Sequence, residues 1–208
     1  MEDYADKAVE FALQSGCQYC DVRAETVTSS GFLLENGEIE HFTSSSDSGL
    51  GIRVLAASCW GFYSVSNPHS LEEIKNAAQD AVKNALHYSK SKKQKVKLAD
   101  VPICVDKVDF RVLKQPSIEE MTRLGFECDS IIKGKKRINK SSISMEYDVF
   151  SKYFVNSDGT KIHQNFVDTV ANLSATAHES GLTESVNTTE GGRGGMEMIL
   201  GQNDITKA

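Results

Sequence analysis

Asn36-Gly37 stands between two runs that each read as a strand, Phe32-Leu33-Leu34-Glu35 and Glu38-Ile39-Glu40-His41-Phe42. A two-residue type I′ turn needs positive φ at both central positions, and Asn-Gly accepts this at little steric cost. The dipeptide therefore dictates an antiparallel hairpin early in the chain. The surrounding periodicity agrees. Cys20, Val22, Ala24 and Thr26 alternate with Asp21, Arg23 and Glu25, as in a half-buried strand. Residues 49–56 and 59–65 read as two more strands.

Helices flank this meander. Tyr4, Ala5, Ala8, Val9 and Ala12 share one face of a helix over 3–15, and Gly16 is placed to end it. Ser70-Leu71-Glu72-Glu73 is a capping box opening a helix whose stripe is Leu71, Ile74, Ala78, Ala81, Val82 and Ala85. The second half repeats the plan. Ser117-Ile118-Glu119-Glu120 is another capping box, with Ile118, Met121, Leu124, Gly125, Cys128 and Ile132 as the stripe. Strand alternation then runs through 143–149, 153–155, 161–166 and 170–176, with an Asp158-Gly159 turn between the second and third. The expectation is an α+β fold of antiparallel meander sheets packed with helices. It divides into two helix–four-strand halves at about 1–88 and 117–187, a Lys-rich linker at 89–100, and a Gly-rich connector over 188–208. By eye, 32–38 lies over 153–160 and 51–56 over 171–176. Either an internal duplication or the shared geometry of any two meanders accounts for that alignment.

Bulk composition narrows the function classes. A formal net charge of −6 argues against the basic face that nucleic-acid binding needs, so no nucleic-acid partner is expected. The lysines at 90, 92, 93, 95 and 97 read as a solvated loop. No apolar run is long enough to span a bilayer, and Met1-Glu2-Asp3-Tyr4 lacks the positive opening of a secretory signal. No membrane is expected, and the cytoplasm is the expected location. The 5 cysteines are odd in number and irregular in spacing, which fits reduced thiols. Cys17-Gln18-Tyr19-Cys20 has metal or redox spacing, but no second ligand pair follows, so two small semi-buried thiols at a helix-to-strand junction are expected there.

No catalytic motif stands out in the sequence. His178-Glu179 is followed by Ser180-Gly181-Leu182-Thr183 with no second His, and a strand pattern precedes it. No Gly-x-Ser-x-Gly elbow occurs. Gly191-Gly192-Arg193-Gly194-Gly195 lacks the Gly-Lys-Ser/Thr ending of a phosphate loop, so a mobile connector or a close backbone approach is expected. Arg193 within it could pin a carboxylate on a partner domain or at a peptide end. Arg53 lies between Ile52 and Val54, so it points away from their face, toward solvent or an interface. Replacing it by alanine is then expected to cost within about 0.5 kcal/mol. Trp60 and Phe62 could dock a partner, although a core position for Trp60 is the stronger expectation. The substrate or interface candidates are Arg53, Trp60, Phe62, Arg193 and Glu197. No catalytic and no metal-binding residue is assigned.

The order of short signals is itself specific. An Asn-Gly-Glu hairpin is followed by Gly51-Ile52-Arg53-Val54, Trp60-Gly61-Phe62, two helices, a second hairpin, and Gly191-Gly192-Arg193-Gly194-Gly195-Met196-Glu197. In this order the chain resembles the amino-terminal domain of TldD/PmbA-type peptidases, and its last element is similar to the TldD branch. Ala57-Ser58 departs from the Asp-Gly or Asn-Gly turn common there. The resemblance implies a carboxy-terminal domain, beyond Ala208, holding zinc in a His-Glu-x-x-x-His motif, and a TldE-type or identical partner subunit. It also implies cleavage of small or unfolded peptides. These residues would then be a non-catalytic part that guides substrate and assembly, with no cofactor of their own. The alternative is a stand-alone peptide- or protein-binding module without enzymatic activity.

Overall fold

The computed structural model describes residues 1–91 and 96–200. Three of the linker lysines, at 92, 93 and 95, lie outside the described residues. The elements in chain order are α1 (Glu2–Gln14), β1 (Tyr19–Glu35), β2 (Glu38–Ala56), β3 (Cys59–Ser66), α2 (Leu71–Ser89), β4 (Val105–Asp109), α3 (Ile118–Lys133), β5 (Ile138–Asn156), β6 (Lys161–Glu179), β7 (Leu182–Arg193) and α4 (Glu197–Leu200). This is an α+β fold. Strands pair in the order β3-β2-β1-β5-β6-β4, and β7 pairs with β6. The β2–β3 and β6–β7 pairs are antiparallel, whereas β4 runs parallel to β6. No described helix is long and apolar enough to cross a membrane.

The strands are longer and fewer than the periodicity predicts. The runs at 20–26 and 32–35 join into β1, and those at 38–42 and 49–56 join into β2. The same happens in β5 and β6. Polar stretches such as Thr43-Ser44-Ser45-Ser46 break the apolar alternation without breaking the ladder, because backbone pairing does not require apolar side chains. At these stretches the chain passes from one compact unit to another. One unit comprises Met1–Val27, Asp47–Asp109 and Phe150–Asn165; the other comprises Thr28–Ser46, Phe110–Val149 and the described residues from Phe166 onward.

In the first unit α1 and α2 cover one sheet face. Ala5, Ala8 and Ala12 of α1 and Ile74, Ala78 and Ala81 of α2 pack on Cys20, Val22, Ile52 and Val54. Small helix residues let the backbones approach. At Gly61 of β3 an added Cβ would stand 2.1 Å from the Ala81 carbonyl oxygen and 2.6 Å from the Ala85 nitrogen. The Ser70 cap of α2 forms, with the Glu73 N–H donating to Ser70 Oγ at 3.2 Å, while the Glu73 carboxylate reaches one residue past the cap and accepts from the His69 N–H at 3.0 Å. Ser117 occupies the corresponding position of α3 without a side-chain cap bond.

In the second unit α3 lays Met121, Leu124 and Cys128 against Phe32, Leu34, Ile143 and Met145. Met196 and Ile199 join the same core. The stretch over 182–193 that the sequence leaves without a strand is β7, joined to β6 by a two-residue turn at Ser180-Gly181, both with positive φ. Gly191 and Gly192 are therefore paired strand residues opposite Val170 and Thr169. A close backbone approach does occur one turn later. A Cβ at Gly195 would stand 1.9 Å from the Lys114 carbonyl oxygen.

Candidate functional site

Strand alternation sends Cys20, Val22 and Ala24 into the helix-covered core of the first unit and leaves Asp21 and Arg23 on the opposite face. There Asp21 is fully buried. Arg53 donates to its Oδ2 from Nε at 2.9 Å and from Nη2 at 2.7 Å, while Arg23 Nη1 donates to Oδ1 at 3.1 Å. The Arg53 guanidinium also stands over the Trp60 ring at 4.7 Å, and Tyr19 meets that ring edge-on at 6.0 Å. Arg23 lies over Phe154 at 5.2 Å. The face predicted for Arg53 is correct, but the side chain is held in an internal ion pair rather than left to solvent. Its partner is 32 positions away in sequence.

Trp60 corrects a second expectation. The core side of β3 carries Cys59, Gly61 and Val65, because α2 approaches so closely that only glycine fits between them. Trp60 is thereby placed on the helix-free face with Arg53, not in the core. Phe62 shares that side opposite Arg53 in the β2–β3 register, yet it is 57% exposed and its ring rests near Gly51. The structure thus brings Arg53 and Trp60 together and leaves Phe62 outside the cluster.

A cleft of about 390 Å³ opens over this cluster. Tyr19, Arg53, Trp60 and Phe154 line one side, and the segment 98–104 lines the other. That segment is tied at both ends. The Val96 N–H donates to the Ser58 carbonyl at 2.9 Å, the Cys104 N–H donates to Thr160 Oγ1 at 3.2 Å, and the Lys161 N–H donates to the Cys104 carbonyl at 2.9 Å. Burial pushes the Tyr19 hydroxyl above its ordinary range, against the opposing pull of the Asn156 side chain, so it stays a neutral donor.

The second unit carries an analogous arrangement. Arg193 grips Asp168 with Nε on Oδ1 at 3.0 Å and Nη2 on Oδ2 at 3.2 Å. Its guanidinium stands 3.8 Å from the Phe166 ring centre and 5.3 Å from that of Phe110. The carboxylate that Arg193 pins is therefore Asp168 of its own unit. Glu197 is occupied as well. Its carboxylate accepts backbone N–H bonds from Leu113 at 3.0 Å, Lys114 at 2.9 Å and Gly195 at 2.9 Å. Desolvation alone would raise this acid, but the converging N–H groups outweigh it and hold the pKa at about 2. Asp21 and Asp168 are the members that sequence reasoning missed. The alternation shows which face they take, but not that an arginine from another strand lies beside them.

Among the described residues no group of three or more His, Cys, Asp and Glu side chains is placed to hold a metal ion. Cys17 and Cys20 are buried, and burial raises the pKa of both thiols, which disfavours the thiolates that zinc requires. His178 is spent on the β6–β7 hairpin, where Nδ1 lies 2.9 Å from Thr183 Oγ1.

Comparison with known proteins places this fold. Residues 20–85 match PmbA/TldA metallopeptidase domain 1, and residues 111–207 match the PmbA/TldA metallopeptidase central domain. The chain belongs to the TldD/PmbA family. A metalloprotease of Methanocaldococcus jannaschii is 29% identical over 178 residues, covering 83% of this chain and 38% of that protein. A metalloprotease of Methanothermobacter thermautotrophicus is 28% identical over 198 residues, covering 93% of this chain and 41% of that protein. This TldD/PmbA chain thus spans about two-fifths of the length of either relative. Crystal structures of candidate modulators of DNA gyrase share its fold. The one from Bacteroides thetaiotaomicron has a TM-score of 0.72 at 16% identity, over 91% of this chain and 44% of that one. The one from Thermotoga maritima has a TM-score of 0.72 at 15% identity, over 93% and 43%. TldE from Thermococcus kodakarensis superposes with a TM-score of 0.69 at 14% identity, over 90% and 42%.

Proposed function

We propose that these residues form the non-catalytic amino-terminal part of a zinc-dependent TldD/PmbA-type peptidase, guiding peptide substrate and assembling with a TldE-type or identical subunit in the cytoplasm. The observation that carries this reading is the match of the chain to domain 1 and the central domain of a metallopeptidase, over about two-fifths of the length of its metalloprotease relatives. The chemistry would then reside in residues other than these. The role left to this chain is to present faces and edges to a peptide or a partner. Sequencing downstream of the Ala208 codon tests the reading. An open frame encoding a His-Glu-x-x-x-His helix within the next few hundred residues is expected. A stop codon with no zinc-motif gene nearby overturns it.

A stand-alone binding module is the second reading, favoured by one feature. β3 ends the strand order among the described residues, where an extended peptide could add as a further strand on displacing Asn84 Nδ2 from the Phe62 carbonyl. Tight peptide binding by a monomeric chain, combined with that stop codon, selects this reading instead.

A further inference from the structure

We propose that the cleft on the helix-free face of the first unit binds the carboxylate of a peptide, anchored by the Arg53 guanidinium, with the segment 98–104 packing on the adjoining apolar side chain. This names the substrate feature that the substrate-guiding reading requires, and it rests on that reading.

The charge balance comes first. The buried Asp21 carboxylate is shared by two guanidinium groups, so the trio carries one positive charge in excess. A guanidinium has more N–H donors than Asp21 takes from Arg53. The bonds to Asp21 engage Nε and Nη2, and no described residue accepts from Nη1. Arg53 lines the cleft, and its side chain is 42% exposed. A planar group with an uncommitted donor edge suits a carboxylate.

Preorganisation is the second argument. Two bonds to Asp21 and the Trp60 ring beneath hold the guanidinium in one orientation before any ligand arrives. Little side-chain entropy is left to lose on binding. The third argument selects the anion. Asp21 stands behind the guanidinium and Asp158 lines the same cleft, so a dianion such as phosphate meets two like charges. A singly charged carboxylate meets the least repulsion. The last argument concerns what carries it. Leu98, Val101, Pro102 and Ile162 line the cleft and offer apolar contact to a neighbouring side chain. An acidic side chain and a peptide carboxy terminus both supply this chemistry.

Trp60 is the only tryptophan of the chain, so its fluorescence reports from the cleft itself. The 208-residue chain is titrated with an N-acetylated Ala-Leu-Leu tripeptide bearing a free carboxyl, with its carboxy-terminal amide, with the amide of N-acetylated Ala-Leu-Glu, and with inorganic phosphate, and calorimetry is run in parallel. The free acid is expected to give a saturable change, the Ala-Leu-Leu amide to bind at least roughly tenfold more weakly, and phosphate to leave the emission unchanged. Equal binding of the Glu-containing amide assigns the site to a side-chain carboxylate; its failure assigns the site to the peptide terminus. Arg53→Lys keeps the charge on Asp21 but loses the planar fork, and Val101→Asp places a negative charge on an exposed position of the cleft without touching the core. Each is expected to weaken the free acid by at least roughly tenfold. The proposal is overturned if the free acid gives neither a fluorescence change nor heat at about 10 mM, if the Ala-Leu-Leu amide binds equally, or if both variants bind as the parent does. Such a failure leaves the downstream-frame test of the peptidase reading untouched.

Discussion

Replacing Arg53 by alanine removes the principal partner of a carboxylate that has no access to water. Asp21 is 0% exposed and accepts two bonds from Arg53, whose loss leaves it the 3.1 Å bond from Arg23 and the neighbouring Tyr19 hydroxyl. Removing one partner of a fully buried ion pair costs about 3–5 kcal/mol. Two features lower the figure here: Arg53 is 42% exposed, and Arg23 can compensate part of the charge. The lost cation–π contact with Trp60 adds about 0.5–1 kcal/mol at such a site. The expected loss is about 2 kcal/mol, four times the limit that the sequence alone suggests for this position. At about 2–4 °C per kcal/mol for a chain of this size, the melting temperature falls by about 4–8 °C. Urea unfolding followed by Trp60 emission and by circular dichroism measures it. Asp21→Asn in the Arg53→Ala background should recover part of the loss, because the buried charge is then absent. A loss below about 0.5 kcal/mol, or strict additivity of the two changes, refutes the reasoning.

Three further outcomes follow from the same structure. Glu197 has a folded pKa depressed from 4.5 to about 2, so its stabilisation is fully present above 4.5 and is lost as the pH falls toward 2. The stability difference between the parent and Glu197→Gln should therefore be large at pH 7 and shrink at pH 3; a difference independent of pH contradicts the backbone cradle. Gly61→Ala forces a methyl against the Ala81 carbonyl and should cost about 1–3 kcal/mol in thermal unfolding, whereas a neutral result means α2 is free to withdraw. Ser70→Ala removes a formed cap and should cost about 1 kcal/mol, while Ser117→Ala, which removes none, should cost clearly less.

Much of this fold is legible in the residues, and the misses share a physical origin. Apolar stripes identified α1, α2 and α3 because each helix buries one face, and Asn36-Gly37 announced its hairpin through backbone sterics. The merging of neighbouring runs into long strands was not legible. Residues 27–31 and 43–48 contribute nothing to the buried part of either core, so no apolar pattern marks them as strand. β7 was hidden in the same way by exposed Thr, Glu and Gly residues, although Ser180-Gly181 carried a usable turn signal. The candidate site depended on register. A strict count from the Asn36-Gly37 turn sets Asp21 opposite Ile52, yet Ile52 lies in the core and Arg53 reaches Asp21. That offset cannot be read from alternation. Trp60 was misplaced because the deciding contact is a helix backbone against Gly61, and composition assigns no such closeness.

The central claim, that these residues are the non-catalytic part of a zinc peptidase, is tested most directly by zinc stoichiometry and peptide hydrolysis on the purified 208-residue chain. The account predicts no stoichiometric zinc after dialysis and no cleavage of unfolded peptide substrates. Tightly held zinc at an equimolar ratio, with hydrolysis abolished by a chelator and restored by zinc, contradicts it.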